Sequence, residues 1–358
     1  MISFLSVFIL LFQFANAEPS SMIPIGADQC QPVKGLRSQF GNVRNQGNVG
    51  WCFAFASADL IGWALGIKPP DMVSARDIAV TAVTFGGPDF KNAGPGMAKR
   101  YSEIMKNFRG KEIASREGNL GFLATLLYIN RHRLCLESQS PSEPMHRLAL
   151  KEMLNATTED KATLQWLRDQ FANEDSRTEK AHEQTEASAT VLNCNCALDK
   201  LLSADDEVKA QSRINDMSAA YFRMNQDKIC PEDSRLLRLK GSGYVVGVDG
   251  DTQDSLLQKA NGLLDQKQPF SIGFQPCRWK DPSKAKNGRF PEDCGHESIV
   301  VDRRWNNGSC EFLVRNSWGP NCLAYKKGVD CEDGNFWVSA QELFQTADTL
   351  FTLDKLSE

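Results

Sequence analysis

The stretch Gln46-Gly-Asn-Val-Gly-Trp-Cys52 places a thiol behind two glycines and ahead of an Ala- and Leu-rich run without proline that reaches Leu65. Glycines let the backbone turn tightly, and the run reads as a largely buried helix, so Cys52 is expected at or next to a helix N-terminus. Unpaired backbone N–H groups and the helix dipole favour an anion there, which makes the thiolate accessible as a nucleophile. Such a nucleophile needs a base, a group that orients the base, and donors for an oxyanion. Of the four histidines, His132, His146 and His182 lie in polar helical surroundings, whereas His296 opens a strand in Cys294-Gly-His-Glu-Ser-Ile-Val-Val301. Asn316 follows a further strand in Val314-Arg-Asn-Ser-Trp-Gly319. The order along the chain is therefore Gln, Cys, His, Asn, a set suited to acyl transfer through a thioester.

These segments resemble a papain-like cysteine peptidase at three separated places. Val43-Arg-Asn-Gln-Gly-Asn-Val-Gly-Trp-Cys-Phe-Ala-Phe55 is similar to the family's oxyanion-glutamine and nucleophile segment, Gly295-His-Glu-Ser-Ile-Val-Val301 to its histidine strand, and Phe312-Leu-Val-Arg-Asn-Ser-Trp-Gly319 to its asparagine motif. The resemblance covers residues 28–140 and 236–354. It implies Cys52 as nucleophile, His296 as the proton carrier, Asn316 as the group orienting the imidazole, and Trp318 as the shield of that hydrogen bond. The Gln46 side chain and the Cys52 N–H would form the oxyanion hole. Gly118 and Gly121 are candidates for binding substrate backbone, and Trp51 for shaping the adjoining subsite. The pattern departs from the family at Val49, where a bridging cysteine is usual, and at Trp51 and Phe53.

The compartment follows from the first residues. An apolar run to Phe14 ends in Ala15-Asn-Ala17, too short to span a membrane and shaped like a secretory signal cut after Ala17. A secreted or periplasmic protein is expected, without stable membrane insertion. In an oxidising compartment cysteines tend to pair, and eleven is an odd number. If Cys52 stays free, ten remain. Cys277 with Cys294 and Cys322 with Cys331 would close short loops, and Cys135, Cys194, Cys196 and Cys230 would staple an insertion. A net charge of -4 gives no basic signature, which disfavours a nucleic-acid partner. No cysteine spacing indicates zinc, and neither metal nor cofactor is expected.

Positioning these groups requires a helix over 52–65, one over 74–84 with Ser74 as N-cap, and one over 121–131. Strands are expected over 243–248, 269–274, 298–302, 311–315, 335–339 and 350–353, with a helix over 255–264. Helices first and strands last give an α+β chain. With the resemblance, the expected fold is papain-like and two-lobed, a helical lobe and an antiparallel β lobe with the active-site cleft between them. The expected domains are a signal peptide over 1–17, the helical lobe over 18–140, a helical insertion over 141–235 and a β-rich lobe over 236–358. The expected activity is hydrolysis of peptide bonds in protein or peptide substrates. The alternatives are an isopeptidase or amidase with the same apparatus, or a catalytically impaired relative that binds a partner.

Overall fold

The computed structural model describes residues 22–47, 51–85, 120–142, 230–247, 250–280 and 295–357. Helices α1 (Cys52–Ala64), α2 (Ala75–Phe85) and α3 (Leu120–Asn130) come first. They are followed by β1 (Gly241–Val245), α4 (Gln253–Asp265), β2 (Phe270–Phe274), β3 (His296–Asn306), β4 (Ser309–Arg315), β5 (Cys331–Glu332), β6 (Asn335–Ser339), α5 (Ala340–Phe344) and β7 (Thr349–Leu353). The strands form one sheet in the order β1-β7-β2-β3-β4-β6-β5, and every neighbouring pair is antiparallel. The chain is thus a mixed helix and antiparallel-sheet fold. The signal-like segment and residues 143–229 of the expected insertion lie outside the described residues.

Helix α1 is apolar around its whole circumference, and each of its residues from Phe53 to Ala64 is buried. A helix of that composition belongs inside a core rather than on a surface. It packs against α2 and α3 and lies on β2, β3 and β7. Gly66 ends it at φ +71, where the Ile67 N–H reaches the Gly62 carbonyl (2.9 Å) and the Gly66 N–H reaches that of Trp63 (3.0 Å). That pair of bonds closes the last turn and requires the left-handed conformation glycine tolerates. Ser74 caps α2 by accepting the Asp77 N–H at 3.1 Å, as the sequence indicates.

The strands differ from their sequence expectation mainly in extent. β3 runs eleven residues rather than five, and β1 begins two residues early. In β2 the expected alternation is replaced by burial at every position. The strand sits between β7 and β3 in the sheet and under α1, so neither of its faces meets water.

Disulfides tie distant parts together. Cys30 joins Cys310, Cys135 joins Cys230, and Cys322 joins Cys331. The last is the expected short-loop bridge, the second uses two of the four cysteines assigned to the insertion, and the first pairing is not legible in the spacing. Cys277 is disulfide-bonded as well, while Cys194, Cys196 and Cys294 lie outside the described residues. Beside Cys135–Cys230, the chain leaves and returns on adjacent tracks. The Leu134 N–H donates to the Pro231 carbonyl (3.1 Å) and the Asp233 N–H to that of His132 (2.8 Å).

One buried ionic cluster locks helix to sheet. Asp59, the single charge in α1, accepts from Arg44 at 2.8 Å and from Arg315 at 2.8 Å. Arg44 also donates to Glu137 (2.6 Å) and to the Val73 carbonyl, and Arg315 to the carbonyls of Gly41 and Asn42. All three side chains of the Arg44–Asp59–Arg315 set are less than a tenth exposed. Removing one member of a buried ion pair strands its partners, at a cost of about 3–5 kcal/mol. Asp59→Ala should therefore lower the urea unfolding midpoint by that amount of stability. A change under about 1 kcal/mol would show the cluster to be incidental.

Candidate active site

Cys52 is the first residue of α1, with Trp51 as its N-cap, and its thiol is the one free cysteine among the described residues. Its sulfur faces the backbone N–H of Glu297, so the start of α1 meets the start of β3, where His296 stands. Asn316 follows β4 directly. Gln46 is brought in by an antiparallel bridge between Asn45 and Trp318, supported by the Gln46 N–H to the Ser317 carbonyl (2.8 Å) and the Gly319 N–H to the Arg44 carbonyl (3.0 Å).

The hydrogen bonds settle the orientation of the imidazole. The Tyr325 hydroxyl donates to the Gly334 carbonyl (3.0 Å), so toward Asn316 it accepts, and the amide nitrogen Nδ2 donates to it at 2.9 Å. The Asn316 amide is thereby fixed with Oδ1 toward His296 Nε2, 2.7 Å away. Ser298 Oγ and the Ser317 N–H donate to the same Oδ1. An amide oxygen can only accept, so His296 carries its proton on Nε2, and Nδ1 is left as the basic nitrogen. Gln46 is oriented by the same logic. Its Oε1 accepts from Ser317 Oγ, which makes the amide nitrogen the donor at its other end. The aromatic wall is continuous: the His296 ring lies 4.9 Å from Trp318 and 5.7 Å from Phe274, and Trp318 lies 5.4 Å from Tyr325.

Burial sets the electrostatics. It pushes the Cys52 thiol up to about 11, with the Glu297 carboxylate adding to the rise, while the N–H groups of Glu297, Phe53 and Cys52 itself pull the other way. Burial also draws the His296 imidazole down to about 4, opposed by its bond to Asn316 and reinforced by Lys280. The Lys280 ammonium stands 4.9 Å from the Trp318 ring and is coupled to Cys52. At neutral pH the site thus holds an uncharged thiol and an uncharged imidazole, the forms a poorly solvated environment favours. Glu297 itself is buried, its carboxyl raised by desolvation to about 7 against the lowering effect of Ser271 and the Gly121 N–H.

Of the other residues singled out in the sequence, Trp51 is 8% exposed and packs in the hydrophobic core. Gly121 lies in the first turn of α3, its N–H bonded to Glu297 Oε2 at 2.9 Å. Gly118 lies outside the described residues. Four contributors were not anticipated: Glu297, Lys280, Tyr325 and Ser317. Glu297 carried a signal, since it is a charge just ahead of the apolar run Ile299-Val-Val301. Tyr325 carried none, because it lies nine positions after Asn316 with no local pattern linking the two.

No protein-family model matches the sequence, and no curated protein matches it. Among solved structures the chain is similar to Amb a 11, a ragweed cysteine protease and pollen allergen, in its proform. The TM-score is 0.40, the identity 12%, and the match covers 90% of this chain and 65% of that one. It is similar also to digestive procathepsin L 3 from the larval midgut of Tenebrio molitor, with TM-score 0.41, identity 13% and coverage of 94% and 72%. The chain therefore spans about two thirds of the length of the ragweed protein, 65%.

Two tests follow from this geometry. Tyr325→Phe removes the acceptor of Asn316 Nδ2 and releases the amide to rotate. At roughly 1.4 kcal/mol for a lost buried hydrogen bond, turnover should fall about tenfold with KM little changed. An unaltered turnover number would mean that the amide needs no such anchor. Separately, the Glu297 carboxyl binds its proton more tightly folded, at about 7, than at its ordinary 4.5. Its contribution to stability is complete below pH 4.5 and is lost as pH rises through 7. His296 acts in the opposite sense, adding stability above 6.5 that is lost as pH falls through about 4. The His296 contribution cancels in a comparison with Glu297→Gln. Wild type should lose urea stability relative to that variant between pH 4.5 and 7.5, and parallel pH curves would refute the assignment.

Proposed function

We propose that the chain is a papain-like cysteine peptidase, acting on protein or peptide substrates through a thioester at Cys52. The observation that carries this reading is the His296 Nε2 to Asn316 Oδ1 bond of 2.7 Å at the head of the strand whose backbone faces a free thiol. In this reading substrate binding brings a peptide carbonyl to Cys52. The sulfur adds to the carbonyl carbon as its proton moves to His296 Nδ1, and the oxyanion is met by the Gln46 amide nitrogen and the N–H at the start of α1. His296 then gives the proton to the leaving amine. Water, deprotonated by the same imidazole, hydrolyses the thioester. Trp318 keeps bulk water from the His296–Asn316 bond.

The wider organisation belongs to the same proposal. Residues 18–140 and 236–358 are the two lobes, and the Cys52 end of α1 against the His296 end of β3 is their meeting place. Residues 141–235 are an insertion, supported by the adjacent tracks at 132–135 and 230–233 joined through Cys135–Cys230. Disulfides from one end of the chain to the other support export after removal of residues 1–17. No described helix is long and apolar enough to cross a membrane.

The test is covalent labelling of the full chain with an epoxysuccinyl thiol-protease inhibitor, read by intact mass and peptide mapping, with Cys52→Ala as control. A single adduct on Cys52, absent in the control, is expected. No adduct would turn the assignment toward a binding protein without turnover. A panel of linear peptides and isopeptides then separates a peptidase from an isopeptidase on the same apparatus.

A further inference from the structure

Glu297 has an environment that the acyl-transfer chemistry does not use. Its side chain is 7% exposed, yet among the described residues no lysine or arginine pairs with it. Its donors are neutral: the Gly121 N–H at the start of α3 (2.9 Å) and Ser271 Oγ on β2. A carboxylate offers about four acceptor positions, so roughly half of its capacity is filled here. Burying a charge without a counter-charge is costly, and chains retain such groups where they act on something.

The packing around Glu297 is shaped by two residues without side chains. A Cβ on Gly121 would fall 1.8 Å from Glu297 Oε1, so only glycine admits the carboxylate against α3. Across the β2–β3 pair, Gly273 stands opposite Glu297, and directly paired residues point to the same face. A Cβ on Gly273 would lie 2.2 Å from Thr349 Oγ1 and 2.7 Å from Asp348 Oδ1, so these two side chains lean over the glycine. Asp348 is exposed and raises the Glu297 pKa through its charge. A line therefore runs from the exposed carboxylate of Asp348, past the Thr349 hydroxyl over Gly273, to a buried carboxylate whose own N–H faces the Cys52 sulfur.

We propose that Glu297 is a specificity-determining residue that receives a Lys or Arg side chain of the substrate, with Asp348 at the outer end of the track. This rests on the peptidase reading above and adds a substrate class to it. An extended chain advances about 3.3–3.6 Å per residue, so a side chain reaching Glu297 belongs to a residue within one or two positions of the scissile bond. The incoming cation supplies the counter-charge that the folded chain withholds and completes the ligation of a carboxylate otherwise held by neutral donors.

The preference must depend on pH with a definite sign. The groups facing Glu297 are Ser271 from β2, the Gly121 N–H from α3, Cys52 from α1 and Asp348 ahead of β7, while His296 on its own strand points to the other face. Glu297 is ionised above about 7 and neutral well below it. Selection for a cation is full on the alkaline side and fades on acidification.

The experiment uses the full chain and two peptidyl acyloxymethyl ketones that differ in one side chain, lysine against norleucine. They are compared at each of the two positions before the reactive group. The rate of adduct formation on Cys52 is read by intact mass. At one of the two positions the lysine reagent should react at least tenfold faster at pH 8, with the ratio falling toward one by pH 5.5. Glu297→Gln should collapse the ratio at pH 8, and Asp348→Asn should reduce it in part. A ratio near one in the wild type at pH 8, or a preference untouched in Glu297→Gln, overturns the proposal. Should Glu297→Gln fail to fold, the wild-type pH dependence decides alone, since a ratio constant from pH 5.5 to 8 is incompatible with an ionising Glu297. Labelling without preference would leave the peptidase standing and this inference fallen, whereas no adduct from either reagent would bring down both.

Discussion

The arrangement depends on Asp59 held between Arg44 and Arg315. Each partner is a short step along the chain from a residue of the candidate site. Arg44 precedes Gln46 by two residues, Asp59 follows Cys52 by two turns of α1, and Arg315 is the neighbour of Asn316. The three segments come from separate parts of the chain and have no covalent reason to meet in register. An apolar helix can slide or rotate on a sheet with little loss of burial, because its contacts are non-directional. A carboxylate clamped between two guanidiniums has no such freedom, since a displacement of an ångström leaves buried charges unpaired. The cluster converts a tolerant hydrophobic contact into a fixed alignment of Cys52, Asn316 and Gln46.

The outline of that alignment was legible in the sequence because its parts have strong local signatures. Cys52 at a helix start, His296 at a strand start and Asn316 after a strand each follow from flanking patterns, and the structure places all three there. The helices before the sheet were legible for the same reason. What was not legible is contact between segments. The Cys30–Cys310 bridge spans 280 residues, and no spacing rule selects it. The full burial of β2 reflects its central place in the sheet, which its own five residues do not encode. Asp59 and Arg315 show the limit most clearly. Asp59 is a lone charge in an apolar helix and Arg315 ends the apolar run Phe312-Leu-Val314, which marks both as significant, yet only the fold shows that they are partners.

The hydrogen-bond relay and the charges around Cys52 do different work. From Gly334 through Tyr325 and Asn316 to His296 every donor is used in one direction, so the tautomer of the imidazole is a consequence of structure. Orientation of this kind persists around neutral pH because none of its members titrates there, His296 being drawn down to about 4. The charges are opposed. Lys280 favours a thiolate, Glu297 disfavours it, and burial disfavours both ionised partners. A site tuned only for the highest thiol reactivity would not carry a carboxylate beside the sulfur.

That opposition is resolved if the carboxylate is answered by substrate. With a cation seated against Glu297, the negative potential at Cys52 falls, and the thiolate becomes cheaper to form at the moment a peptide carbonyl is in place. Binding energy from a side chain remote from the reacting atoms would then lower the barrier at them, which is the general route by which specificity raises turnover rather than affinity alone. Without such a cation, burial and, after it, the same carboxylate favour the thiol form of the sulfur, the form less prone to alkylation and oxidation. One buried residue, admitted by the absence of a side chain at Gly121, would thereby couple the choice of substrate to the ionisation of Cys52.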